Sequence, residues 1–345
     1  MIRCFAWLLL LAFAACRPDG YSYESNTSGE DQESLNNSAS LDPGESFLSE
    51  APQVLAPHEA SMQMRSEVKV FDQGVLSQSL MEVQTADGAG QFALELVATK
   101  PSGNSNWIPA SAAQRFLHEQ RQHFLVLFRG PAIHDNALAQ RNYSWRELEG
   151  NFTVANIPVR RYRLKSLYKI GDVIFDVDPS TQVVLAWTIR DPDGAPVLRQ
   201  KAIEVDYSPD FQGVTWADVN VATEAYDGLG AQGSLGFDPL QLTSSGAGFE
   251  NSVEKTLSAD QLFAGQSKIH LNLLNDGVRT VAIAQQDEDG ALKSFGNEVQ
   301  AITLNHSADT GVTVVEGPVL DKFAYAIGPL PLNDLLLFLA SLTPA

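Results

Sequence analysis

Between residues 61 and 100 apolar and polar side chains alternate with a period of two. Ser66-Glu67-Val68-Lys69-Val70 shows the alternation. Met81-Glu82-Val83-Gln84 leads through a turn at Asp87-Gly88 into Phe92-Ala93-Leu94-Glu95-Leu96-Val97-Ala98. This is the pattern of an antiparallel hairpin with one buried face. Over residues 110–128 the period changes, and Ala112, Phe116, Leu117, Phe124, Leu125 and Leu127 predict a helix. Strand patterns return from Phe152. They continue through Arg161-Tyr162-Arg163-Leu164, Asp172–Val177, Val183–Ile189 and Gln200–Tyr207, separated by Asp178-Pro179 and Asp191-Pro192-Asp193-Gly194. Short Pro, Asp and Gly turns between such strands predict a meander. Residues 208–245 carry no period, and the Gly-rich stretch from Gly228 to Gly236 marks a boundary. Beyond it, Lys268–Leu274 and Thr280–Gln285 flank Asn275-Asp276-Gly277, a strong hairpin signal. Val299–Leu304, Val312–Val315 and Asp321–Ile327 read as further strands. The apolar run Leu335–Ala340 reads as a buried helix capped by Asn333 or Asp334.

The N-terminus has a different grammar. Arg3 precedes an apolar run from Phe5 to Ala15 that is too short for a membrane span of roughly 20 residues. It matches a signal peptide over residues 1–15. The run ends in Phe13-Ala14-Ala15-Cys16, which resembles a bacterial lipobox and makes Cys16 the expected lipidation site. From Arg17 to Ala60 there are nine acidic residues and a single Arg. Such a segment buries too little apolar area to offset its ordering entropy, so residues 16–60 are expected to be an extended tether. Arg17, rather than Asp, follows Cys16 and points to the outer membrane more than the inner. With Cys4 inside the signal peptide, no disulfide framework is open to the mature chain.

The net charge is −19. This argues against nucleic acid and anionic lipid headgroups as ligands. The one basic cluster comprises Arg160, Arg161, Arg163, Lys165 and Lys169. It is a candidate dock for an acidic partner, with a charged strand face as the alternative. Motifs for catalysis are sparse. His118 and His123 stand five apart, about 140° around a helix, which is wrong for a shared metal. No phosphate loop, dinucleotide fingerprint or nucleophile elbow occurs, so no cofactor is expected. Asp172, Asp176 and Asp178 read as strand-end caps before acid–base groups, and Asp287-Glu288-Asp289-Gly290 reads as a solvated turn. The chain is expected not to be an enzyme.

Two stretches carry a resemblance. Residues 154–210, with Phe175-Asp176-Val177-Asp178-Pro179, Leu185-Ala186-Trp187 and Asp191-Pro192-Asp193-Gly194, resemble the fold shared by LolA-like lipoprotein carriers and the MucB/RseB sigma-factor regulators. Asn156 stands where that pattern has Gly. Residues 271–286 and the C-terminal stretch from Val312 resemble the second domain of the MucB/RseB-type proteins. The resemblance implies a β-dominated α+β fold. A curved antiparallel half-barrel with covering helices would occupy residues 61–227. A linker over 228–245 would lead to a smaller antiparallel sheet with a terminal helix over 246–345. It also implies a periplasm-facing envelope protein that takes an acyl chain of lipid or lipoprotein, or a partner such as an anti-sigma factor. Leu94, Leu96, Ile174, Leu185 and Trp187 from the sheet, with Phe116 and Phe124 from the helix, are the candidate cavity lining. The alternative is an interaction lipoprotein in which these residues only fill a core.

Overall fold

Alternating sequence is built into long antiparallel strands. In chain order they are β1 (Glu45–Phe47), β2 (Ser61–Asp72), β3 (Val75–Asp87), β4 (Phe92–Pro101) and β5 (Ile108–Pro109). Helix α1 (Asn136–Asn142) follows, then β6 (Tyr143–Val154), β7 (Ile157–Ser166), β8 (Asp172–Val177), β9 (Val184–Arg190) and β10 (Pro196–Asp206). These ten strands form one sheet in the order β1-β6-β7-β8-β9-β10-β2-β3-β4-β5, and it stays open rather than closing into a barrel. Bulges in β4, β6, β9 and β10 bend it. A second sheet takes β11 (Thr223–Ala225), β13 (Glu250–Ser258), β14 (Lys268–Asn275), β15 (Thr280–Asp287), β16 (Thr313–Val319) and β17 (Lys322–Gly328), in the order β11-β13-β14-β15-β17-β16. Helix α2 (Leu332–Ala340) follows β17, and β12 (Gln241–Leu242) pairs with β18 (Leu342–Thr343). The computed structural model describes residues 45–47, 52–72, 74–112, 114–115, 132–133, 135–168, 170–216, 223–243, 248–258, 268–287 and 313–344. The architecture is the β-dominated α+β fold expected from the sequence.

Several boundaries differ from that expectation. The chain joins the large sheet before residue 61: β1 pairs with β6, Leu55 bridges Val183, and Val54, Ala56 and Pro57 are buried. Apolar side chains within residues 52–60 are thus packed into the sheet, not spent on a tether. The expected linker is also structured. β11 already belongs to the second sheet, and Leu235, Phe237 and Leu240 are buried, Leu240 beside Phe249 and α2. Strand β6 starts at Tyr143, well before the expected Phe152. Its hairpin to β7 turns at Ala155 and Asn156, with φ of 50° and 63°, a two-residue turn that Asn tolerates without Gly. The helix predicted from residue 110 opens with a capping box. Gln114 N donates to Ser111 Oγ (3.2 Å) and Ser111 N to Gln114 Oε1 (2.9 Å). Its continuation lies outside the described residues. Helix α2 is capped by Pro331 through backbone alone, not by Asn333 or Asp334; the Asp334 and Leu335 amides donate to the Pro331 carbonyl.

The two sheets exchange side chains. Val278, from the β14–β15 turn, lies in the core of the large sheet, and Ile170, from the β7–β8 loop, lies in the core of the second. Between them the turn Asn275–Arg279 is buried. Asp276 accepts hydrogen bonds from the amides of Val278 (3.0 Å) and Arg279 (2.7 Å), from Arg279 Nε (2.9 Å) and from the Tyr143 hydroxyl (2.5 Å). Arg279 Nη1 donates to the Ile170 carbonyl (3.0 Å). Asn142 Nδ2 donates to the carbonyls of Asp276 (3.0 Å) and Gly248 (2.8 Å). Burial raises the Tyr143 phenol well above its ordinary pKa, so it remains a donor to the carboxylate. At Gly277 φ is +100°, and a Cβ there would sit 2.3 Å from the Ala139 amide nitrogen. Gly277→Ala is therefore expected to cost at least about 2 kcal/mol. Urea denaturation measures it, and a loss below that would mean α1 and the turn are not in contact.

Candidate functional site

Cross-strand register lays two rows of side chains over the large sheet. One runs Tyr162–Phe175–Trp187–Gln200–Val68–Leu80. The other runs Trp145–Leu164–Val173–Ile189–Leu198–Val70. Apart from Gln200, all of these residues belong to one apolar core cluster. Neighbours on one face of an antiparallel pair pack directly, which makes the face continuous. Gln200 fits because Trp187 Nε1 donates to its Oε1 (2.9 Å) and its Nε2 donates to Ser66 Oγ (3.2 Å). Trp145 Nε1 is buried on this face without a partner among the described residues. The cover includes small pieces from separate segments: Val54, Ala110, Ile133, Ala139 and Val278.

Of the cavity candidates, Leu96 and Trp187 are on this face, 1% and 8% exposed. Leu185 is equally buried but packs in another cluster with Met62, Met64 and Val159, because the β8–β9 register shifts beside it. Ile174 alternates with Val173 and Phe175, so it falls on the opposite face. Leu94 is half-buried and outside the core clusters. Phe116, Phe124 and the His118–His123 pair lie outside the described residues. Sequence reasoning missed Tyr162, Leu164, Phe175, Ile189 and Trp145. Alternation within β8 and β9 was visible, but the register that lines up six strands in each row was not.

The opposite face is ionic. Arg161 makes two hydrogen bonds to Asp176 (2.6 and 2.9 Å), and its guanidinium lies 4.0 Å from the Phe152 ring centroid. Asp172 receives Arg163 (2.7 Å) and, with two hydrogen bonds (2.6 and 2.5 Å), Arg190. Arg160 is exposed and 3.8 Å from Glu147. Lys165 is exposed, and Lys169 lies outside the described residues. The basic cluster is thus split: Arg161 and Arg163 are consumed within the sheet, and Arg160 and Lys165 point to solvent. Asp172 and Asp176 are their counterions. Asp178 closes the β8–β9 turn, accepting from Ser180, Thr181 and the Tyr207 hydroxyl (2.6 Å). Burial tends to raise its pKa, and these hydrogen bonds outweigh that and hold it below the usual carboxylate value.

The chain is similar in structure to MucB. One MucB crystal structure matches with a TM-score of 0.47 and 13% identity, covering 84% of this chain and 94% of that one. The Pseudomonas aeruginosa MucA/MucB complex matches with a TM-score of 0.45 and 12% identity, covering 84% and 96%. A putative outer membrane lipoprotein-sorting protein domain from Vibrio parahaemolyticus matches with a TM-score of 0.19 and 8% identity, covering 48% and 91%. No family model matches the sequence, and no curated protein matches it.

The ionic ladder has a direct consequence. Asp172 and Arg190 are 5% and 6% exposed. Asp172→Ala leaves Arg190 charged and buried, and is expected to cost about 3–5 kcal/mol. Arg160→Gln is expected to cost less than about 1 kcal/mol. Equal effects in denaturant titrations would mean the ladder is not structural and its arginines are open to a partner.

Proposed function

We propose that this chain is a non-catalytic binding protein of the bacterial envelope. It faces the periplasm, is held to a membrane through a lipid on Cys16, and takes an acyl chain on the apolar face of its large sheet. What supports the reading is the pair of aligned apolar rows on an open sheet whose cover, among the described residues, comes from short segments. A cover of that kind parts from a sheet more readily than a second packed layer does. The ligand's chain would lie along Trp187, Phe175, Tyr162 and Leu96. Desolvation of apolar area drives its entry, at about 25 cal/mol per Å² buried. Ile174, on the ionic face, takes no part. A permanent anchor favours reception or sensing over shuttling between membranes. The other occupant for the same face is an apolar segment of a protein partner, such as the anti-sigma factor implied by the resemblance.

The test uses the full chain from an exporting host, as wild type and as Cys16→Ser. Wild type is expected in the membrane fraction and the Cys16→Ser form in the soluble fraction. Native mass spectrometry and lipid extraction of the soluble form should give stoichiometric acyl ligand. Trp187→Ala and Leu96→Asn should lose it, while Ile174→Asn keeps it. A folded, ligand-free protein that also refuses added phospholipid would overturn the acyl reading and leave the protein partner. A Cys16→Ser form that stays on the membrane would overturn the anchor.

A further inference from the structure

The second sheet has a face of its own that changes character along β14. Leu274 lies under α2, with Val281, Ile283, Ala324 and Ala326 on neighbouring strands. Two and four residues earlier the same face carries Asn272 and His270. There the sheet borders a cavity of about 690 Å³, within the usual range for small-molecule sites. His270 is 2% exposed, and neither ring nitrogen has a partner among the described residues. Asn272 is 6% exposed; its Nδ2 lies 3.4 Å from Glu254 Oε1, and its Oδ1 has no partner among the described residues. Asn251 Nδ2 donates to the same Glu254 oxygen (3.1 Å). The Tyr226 ring stands edge-on to His270, centroids 4.7 Å apart, and forms a wall.

Unpartnered buried polar atoms are costly, so these atoms define what the cavity takes. An acyl chain would leave His270 and Asn272 unanswered. An anion would meet Glu254 and Asp238, with no Lys or Arg among the described lining residues. Among the described residues no cluster of His, Cys, Asp and Glu is placed to hold a metal ion. Burial lowers the His270 pKa, so the ring is neutral and has one N–H to donate and one nitrogen to accept. An ammonium ligand supplies donors alone. A hydroxyl supplies both a donor and an acceptor, and suits Asn272 Oδ1, Glu254 and each His270 nitrogen. We infer that this cavity binds a small neutral oligosaccharide, its hydroxyls on His270, Asn272 and Glu254 and a ring face towards Tyr226.

The full chain is titrated with maltose and chitobiose by saturation-transfer NMR, with glucose 6-phosphate and putrescine as charged comparators. At least one neutral disaccharide should bind, and Glu254→Lys should weaken it tenfold or more, equal to about 1.4 kcal/mol. Glu254 is exposed, so its replacement leaves the fold in place; His270→Leu is the second variant and should act in the same direction. Three results would overturn the inference: no disaccharide signal at millimolar concentration, a signal that both variants leave unchanged, or tighter binding of either charged comparator.

Discussion

Arg279 is 1% exposed between two sheets, and its charge has to be answered there. Leaving such a charge unpaired costs about 3–5 kcal/mol. Asp276 answers it three residues away; Tyr143, which donates to the same carboxylate, and the Ile170 carbonyl, which accepts from Arg279 Nη1, both come from the large-sheet half of the chain. Burial works against the Arg279 charge, but Tyr143 and Asp276 outweigh it and keep its pKa raised. The contacts with Tyr143 and the Ile170 carbonyl are therefore made only when the two sheets are together. Val278 and Ile170 add the apolar half of the same joint, each in the core of the opposite sheet. Residues Pro43–Ala345 accordingly form one compact unit.

With the joint fixed, each sheet is free to divide its chemistry between faces. In the large sheet the period of two separates Val173, Phe175 and Val177 from Asp172, Ile174 and Asp176. The first set extends across neighbouring strands as apolar rows. The second meets Arg161, Arg163 and Arg190, which neutralise it. The cluster that stood out in the sequence as basic is thus largely the counterpart of acids one strand away. In the second sheet the change of character runs along the strand instead, from Leu274 under α2 to His270 at the cavity.

Much of this was legible in the sequence where a strand alternates between clear turns. β8 was read at the bounds it has, because its residues alternate and Asp178-Pro179 ends it. The β14–β15 hairpin was read from Asn275-Asp276-Gly277. That the turn is buried was not, because turn chemistry looks the same in solvent and in an interface; only the charge of Arg279 distinguishes it, and a charge reads as solvated. The Gly-rich stretch from Gly228 hid Leu235, Phe237 and Leu240, whose burial depends on the strands they meet. In Tyr143–Gly150 the charges Arg146, Glu147 and Glu149 crowd the positions after Trp145 and blur the alternation, and only the pairing with β7 gives the register of β6. His270 has no His, Cys, Asp or Glu at a ligand spacing around it in the sequence; its neighbours Glu254 and Tyr226 are distant in sequence and meet it only through the fold.

The joint is the central claim, and the distribution of tryptophan makes it measurable. No Trp follows Trp216, so tryptophan fluorescence follows the large-sheet half, whereas far-UV circular dichroism follows both sheets. Urea unfolding of the full chain, read by both signals, should give coincident transitions. In Arg279→Met the two curves should separate, because the sheets lose the Arg279 hydrogen bond to the Ile170 carbonyl that joins them. Separate transitions in the wild type, or curves that stay coincident in Arg279→Met with no loss of stability, would contradict the account.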